Sequence, residues 1–526
     1  MIRRLAGAGA GVGSNKQWLR RQQSLRYGGR RYTQYSSNYG NQQYAGYMAP
    51  KPSLAKKLGY TALGLACMTA YAYYMWWPKH TFPKSVAKIL RKGLWAESDR
   101  GEYDYQLALK YYLEALEHCK EIGIDPLSDE YTGIQLKIGE MFERLNMLSD
   151  AAFVYNEIAT LYLSVLAPKP DASKKSEKTR IKNREHRRHL IQKDLRIAIK
   201  LVELNKANPQ LCKAILVTHI VIAQDEVNKL LDNRNELSLI TKGRGGGGGG
   251  GGDNESQKNF TAMLDNDAIL INDDEGQEVA RIKKRPEVWE PFTDEFFNAM
   301  DLLSAICIST GDLAMASKVK IVMTEDMLLA DVEPSKMLLS QCNLGSLLYM
   351  QAEELEAREI AMKRNFSEVA GVEYEAIKNN QDIVKDEELQ TILKEKVPLQ
   401  DQEAYDRVTT TKNTCFNLAI KSYESVLQFA KSIPQEIVKE HNEIKETVAL
   451  ATYGLGVINL HLSKYDKAER LLRESRVRSK ACDYKYLIPE IERELNKLFQ
   501  ERKNVESGQP VSKDNVKDIE MDIHIT

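Results

Sequence analysis

The chain has 526 residues and a mass of 59.8 kDa, with 74 basic and 74 acidic side chains. That neutral sum excludes a uniformly basic nucleic-acid binder, and 43% hydrophobic with 28% charged residues excludes global disorder. The charge is unevenly placed: residues 1–57 carry 11 Lys or Arg and no acid, the first acid is Glu97, and the remainder holds 63 basic against 74 acidic groups, a net of −11.

Residues 1–45 are rich in Arg, Ser, Gln, Gly and Tyr. Arg20, Arg21, Arg26, Arg30 and Arg31 surround Trp18, Leu19 and Leu25. An Arg-rich, acid-free, Ser-bearing head has the composition of a mitochondrial presequence, drawn inward by a membrane potential negative on the matrix side. Arg30-Arg31-Tyr32 resembles an Arg-x-Tyr processing site, which predicts cleavage near Tyr32.

Residues 58–77, LGYTALGLACMTAYAYYMWW, hold no charge. As a helix they span about 30 Å, the thickness of the hydrocarbon core. Lys56 and Lys57 flank one end, Lys79 and His80 the other, and Tyr73, Tyr74, Trp76 and Trp77 form an aromatic belt. This predicts a transmembrane helix. The local charges do not orient it, since residues 38–57 hold three Lys and residues 78–97 hold five Lys or Arg. A presequence that enters the matrix before an apolar stop leaves the body in the intermembrane space. Ala62, Ala66 and Ala70 recur every fourth residue, a small-residue stripe able to pack on another transmembrane helix.

From residue 84 onward the pattern is helical, and no strand alternation stands out. The tetratricopeptide repeat pairs a small residue on its first helix with Ala twelve positions later on its second, because only small residues let the backbones cross closely. Ile138 and Gly139 with Phe142, then Ala151 and Tyr155, match it. Leu455 and Gly456, then Ala468, Leu472 and Ser475, match again. Trp95 and Ala96 precede Ala108, Tyr112 and Ala115 at the same interval, and Leu303-Ser304 precedes Gly311 and Ala316. A further copy opens at Leu344, Gly345 and Leu348. Its second-helix signal appears only at Ala419 and Tyr423, after a polar insertion near 365–410. Residues 187–232 read as two amphipathic helices of poor repeat signature.

The expected fold is all-α: one N-terminal transmembrane helix followed by an α-solenoid of tetratricopeptide-like helical hairpins. The expected parts are a presequence at 1–45, the span at 58–77, hairpins at 84–240, and a disordered Gly-rich and acidic loop at 241–285. Hairpins resume at 286–502 and a disordered tail closes the chain at 503–526. Gly245–Gly252 is unbroken glycine; it ends in Gly-Asp-Asn and lacks the Gly-Lys-Ser/Thr of a phosphate loop.

Chemistry-bearing constellations are missing. The seven cysteines lie more than 30 residues apart, which excludes CxxC-type metal and redox spacing, and they read as buried small hydrophobes. His186 and His189 sit among cations in REHRRH, an unsuitable metal site. GxSxG, HExxH and kinase signatures are absent. No catalytic, cofactor or metal residue is nominated, so the chain is read as a non-enzyme. Repeats of this type commonly bind peptides in a concave groove. The positions that form a carboxylate clamp in chaperone-tail binders carry Leu136 and Glu140, Tyr453 and Val457, Cys342 and Ser346, which argues against recognition of a chain terminus.

Several stretches carry more than a generic repeat. They include MAPKPSLAKK, WAESDRGEYDYQLALKYYLEALEHC, LSDEYTGIQLKIGEMFERLNMLSDA, WEPFTDEFFNAMDLLSAICIS, LLSQCNLGSLLYMQAE and LATYGLGVINLH. Together they resemble the tetratricopeptide-repeat adaptor subunit of the fungal mitochondrial inner-membrane i-AAA protease supercomplex, over roughly residues 48–165 and 187–500. The resemblance implies a body in the intermembrane space that binds unfolded or misfolded proteins. It also implies association with a membrane-bound AAA protease subunit and a second membrane-anchored adaptor subunit, to promote delivery of clients for degradation in protein quality control. The alternative is a repeat scaffold or import receptor anchored in the outer membrane, a class that generally lacks a cleavable presequence.

Overall fold

The computed structural model describes residues 54–76, 81–167, 181–231, 261–264, 268–272, 278–377, 391–392 and 395–507. The presequence, the octaglycine tract and residues 508–526 of the expected tail lie outside them. The chain divides after Gly123 into two units.

The first unit holds α1 (Leu54–Trp76), α2 (Lys84–Glu97) and α3 (Tyr105–Ile122). Asp104 caps α3 by accepting from the Gln106 and Leu107 amides at 2.9 and 3.1 Å, and Gly123 ends it at φ 75°, a left-handed conformation that glycine adopts without a Cβ penalty. α2 and α3 pack antiparallel through Val86, Ile89 and Ala96 against Ala108, Tyr112 and Ala115.

Among the described residues no helix is long and apolar enough to cross a membrane. α1 covers the expected span and has 23 residues, with Lys56 and Lys57 inside its first turn. Its side chains from 62 to 73 are all exposed, the Ala62, Ala66 and Ala70 stripe included.

The second unit begins with α4 (Asp129–Arg144), α5 (Leu148–Leu166), α6 (Arg184–Leu204) and α7 (Pro209–Leu230). Ser128, Asn183 and Asn208 cap the first, third and fourth, and Pro209 occupies the first turn of α7, where its missing N–H costs nothing. After the middle segment come α8 (Thr293–Ser309), α9 (Leu313–Leu329), α10 (Pro334–Ala370), α11 (Leu399–Ser432), α12 (Asn442–His461), α13 (Tyr465–Ala481) and α14 (Ile488–Glu506). Each helix packs chiefly on its chain neighbours, as in a repeat array. One core runs from α5 to α9, a second joins α10, α11 and α12, and a third joins α12 to α13 and α14.

The structure departs from the expected organisation at two places. The segment 241–285 is not wholly disordered loop. It carries β1 (Thr261–Leu264), β2 (Ala268–Asn272) and β3 (Glu278–Lys283), an antiparallel meander with Ala262 opposite Ile271 and Ile269 opposite Ile282. The all-α reading thus holds for most of the chain but not for this piece. Its Ile and Val residues supply strand propensity that the neighbouring Gly and Asp residues concealed. The polar insertion near 365–410 is also smaller than expected. α10 continues to Ala370, where Gly371 ends it at φ 68°, and α11 starts at Leu399, twenty residues before Ala419. The two form one long hairpin, tied by buried Glu359, which pairs with Lys363 at 3.1 Å and also with Lys412. Charged residues inside the hairpin had made its arms look like a loop.

Candidate functional site

The repeat residues are brought together at helix crossings. Gly139 on α4 lies under Tyr155 of α5: a Cβ there would meet ring carbons Cε1 and Cζ at 2.7 and 2.6 Å. The Tyr155 hydroxyl donates to Glu143 at 2.7 Å, and burial with this carboxylate beside it pushes the phenol well above its usual range. Gly456 meets Leu472 in the same way, with a Cβ 2.8 Å from Cδ2. Tyr423 of α11 is held between Gly345 and Gly454, and its hydroxyl bonds Ser346 at 2.8 Å. Ile138, Ala151, Leu344, Leu348, Ala419, Leu455 and Ala468 are buried around these crossings, and Phe142 is half-buried.

Trp95 does not belong to this set. It is 58% exposed, although Ala96 beside it is buried. The buried stripe of α2 runs through Val86, Ile89, Gly93 and Ala96, so Trp95 falls on the opposite face. The close approach is made by Gly93, whose added Cβ would stand 2.8 Å from Tyr112 Cε1. Cys67 is likewise exposed on α1, while the other six cysteines are buried.

These crossings give a graded test. Gly139→Leu and Gly456→Leu are each expected to cost roughly 1–3 kcal/mol through overpacking. Gly133 lies on α4 with open space where a Cβ would stand. Gly133→Ala is therefore expected to stabilise by about 0.5–1 kcal/mol, the usual gain over glycine in a helix. Urea denaturation of the three variants measures both signs; a destabilising Gly133→Ala would show that α4 is placed wrongly.

A groove of about 440 Å³ opens between α4 and α6, each the first helix of its hairpin. Leu136, Tyr155, Tyr162 and Ile197 give it an apolar floor. Asp129, Glu140 and Glu143 line one wall, and Lys193, Arg196 and Lys200 the other. Lys193 and His189 pair with Asp129, and the Lys193 bond holds that carboxyl below its usual range. Lys200 reaches Glu143 at 3.1 Å; burial depresses the amine, but the bonds to Glu143 and Glu203 outweigh it and raise it. Burial pushes the Tyr162 phenol up to about 12. The arrangement is a row of neutralised charges above an aromatic floor. It can hold an extended chain by its side chains and backbone, and it presents no activated nucleophile.

The cationic row Lys193, Arg196 and Lys200 was missed from sequence. Its signal was a three-to-four-residue basic spacing inside a stretch read only as amphipathic helix. Of the clamp positions, Leu136 and Glu140 do face the groove, whereas Cys342 and Tyr453 are buried in the core. Among the described residues no group of three or more His, Cys, Asp or Glu could hold a metal ion.

Residues 172–332 match the family model described as the MGR3 middle domain. That range covers α6 to α9, the meander and the WEPF turn. The chain is 34% identical over 471 residues, 86% of its length and 84% of the relative's, to the "mitochondrial inner membrane i-AAA protease supercomplex subunit MGR3" of Saccharomyces cerevisiae. The chain belongs to the MGR3 family. A second family relative in the same yeast, "Protein MRG3-like", is 31% identical over 81% of this chain and 84% of its own. A TPR repeat-containing protein of Schizosaccharomyces pombe is 29% identical over 111 residues, 20% of this chain and 31% of its own. The family's middle domain includes residues 187–232, whose repeat signature was poor, as well as the copy at Leu303-Ser304 and Ala316. Its core also holds Trp289, Phe292 and Phe296, all fully buried.

Proposed function

We propose that this protein is a non-enzymatic adaptor of the mitochondrial inner-membrane i-AAA protease. In this reading it binds unfolded or misfolded proteins and promotes their delivery for degradation. The observation that carries the reading is the 34% identity, over most of both chains, to a subunit named for that supercomplex. The stacked hairpins and the groove between α4 and α6 support the binding half of it. Groove charges that pair with one another across its walls, Lys193 with Asp129 and Lys200 with Glu143, favour internal segments of a client over a charged terminus. Affinity per segment is modest, because a client loses conformational freedom on docking. Holding adaptor and protease on one membrane raises their effective concentration and offsets this.

The presequence of residues 1–45 enters the matrix during import, and the body stays in the intermembrane space. The region around residues 58–77 holds the protein at the inner membrane, where Ala62, Ala66 and Ala70 offer a face to the protease subunit or to a second membrane-anchored adaptor.

Purification of the tagged chain from detergent-solubilised mitochondria is expected to bring down a membrane-bound AAA protease. The captured complex is expected to favour an unfolded reporter over its folded form without consuming ATP for binding. Protease added to mitochondria with ruptured outer membranes should digest the body, and protease added to intact organelles should not. Digestion in intact organelles would move the protein to the outer membrane. Equal binding of folded and unfolded reporter would leave a scaffold.

A further inference from the structure

α2 has one buried face and one exposed face. Lys84, Ser85, Lys88, Arg91, Lys92 and Trp95 are all exposed, and their spacing of three and four places them along one side of the helix. The opposite side, through Val86, Ile89, Gly93 and Ala96, is buried. Four cations therefore stand in a row with a tryptophan at its end, and Leu94 is exposed beside it. Among the described residues Lys84, Lys88 and Arg91 have no acidic partner within ion-pair distance; Lys92 lies 5.6 Å from the ring of Tyr111. The acid on α2, Glu97, accepts instead from the Tyr112 hydroxyl at 2.7 Å.

We infer that this face of α2 docks on an anionic bilayer surface. Three observations point to a membrane as the occupant. Unpaired cations in a row complement a sheet of phosphate headgroups. A tryptophan and a leucine among them suit the boundary between headgroup and acyl chain. The helix also starts only eight residues after α1 ends at Trp76, and the side chains of α1 from 62 to 73 are exposed and largely apolar. α2 is thus held against the surface near the attachment at residues 58–77. The surplus of positive charge after residues 58–77, unexplained by orientation, acquires a use. This inference stands whether or not the groove binds clients.

A nitroxide at Ser85→Cys, in the full chain with Cys67→Ser, reports the contact; the six remaining cysteines are buried. The chain is reconstituted in phosphatidylcholine vesicles with or without phosphatidylglycerol. Collisions of the label with a water-soluble nickel chelate are expected to fall at least about threefold on the anionic vesicles and to recover in high salt. Replacing Lys84, Lys88, Arg91 and Lys92 together by Gln is expected to abolish that fall, and the pair Arg91→Gln with Lys92→Gln to halve it, which guards against a folding loss in the fourfold variant. Equal collision rates on both vesicles would overturn the inference. So would shielding that persists in both Gln variants, or that appears only on adding an acidic protein.

Discussion

Trp289→Ala is expected to destabilise the second unit by about 3–5 kcal/mol, the range for removing a buried large aromatic. Trp289 is 0% exposed and sits at the head of α8, with Phe292 and Phe296 behind it at a ring separation of 6.3 Å from each other. Val288 and Met300 belong to the same core. Because this core runs without a break from α5 to α9, the loss spreads over several helices, and one cooperative transition should shift. Trp289→Phe is expected to cost less, since it keeps an aromatic ring and removes an indole N–H that is buried without a hydrogen-bond partner. Urea unfolding followed by circular dichroism separates the two. An Ala variant as stable as the parent would mean that the WEPF turn is not part of the core.

Gly454→Leu is expected to cost about 3 kcal/mol, at the upper end of overpacking. A Cβ at this position would stand 2.8 Å from both Cε1 and Cε2 of Tyr423. The ring cannot retreat, because Gly345 of α10 presses its other side and Ser346 holds its hydroxyl. Leu also gains about 0.5–1 kcal/mol of helix propensity over glycine, too little to reverse the sign. Gly454→Leu paired with Tyr423→Ala should recover part of the loss, since the truncated side chain vacates the space the leucine needs. No recovery in the double variant would show that the two residues are not in contact.

The sequence by itself determined the helical hairpins and their crossings. Gly139 with Ala151 and Gly456 with Ala468 stand twelve apart, and twelve residues are what one helix, a tight turn and the start of the next require. Small residues at a crossing are a local demand of backbone approach, so a linear pattern reveals them. The family was legible too, through non-consensus stretches such as WEPF. Trp95 was misplaced because the spacing found the right pair of helices but not which residue faces inward; Gly93, two residues earlier and about half a turn away, makes the approach. The β-meander escaped because its strands are short and separated by glycine and acid, and strand pairing depends on partners the linear pattern does not name. Only the tertiary structure put Tyr423 between two glycines more than a hundred residues apart. Only it set the cations of α6 against the acids of α4 to make a groove. In each case the deciding contact joins residues distant in sequence, and its energy comes from shape and charge that exist only once the helices have packed.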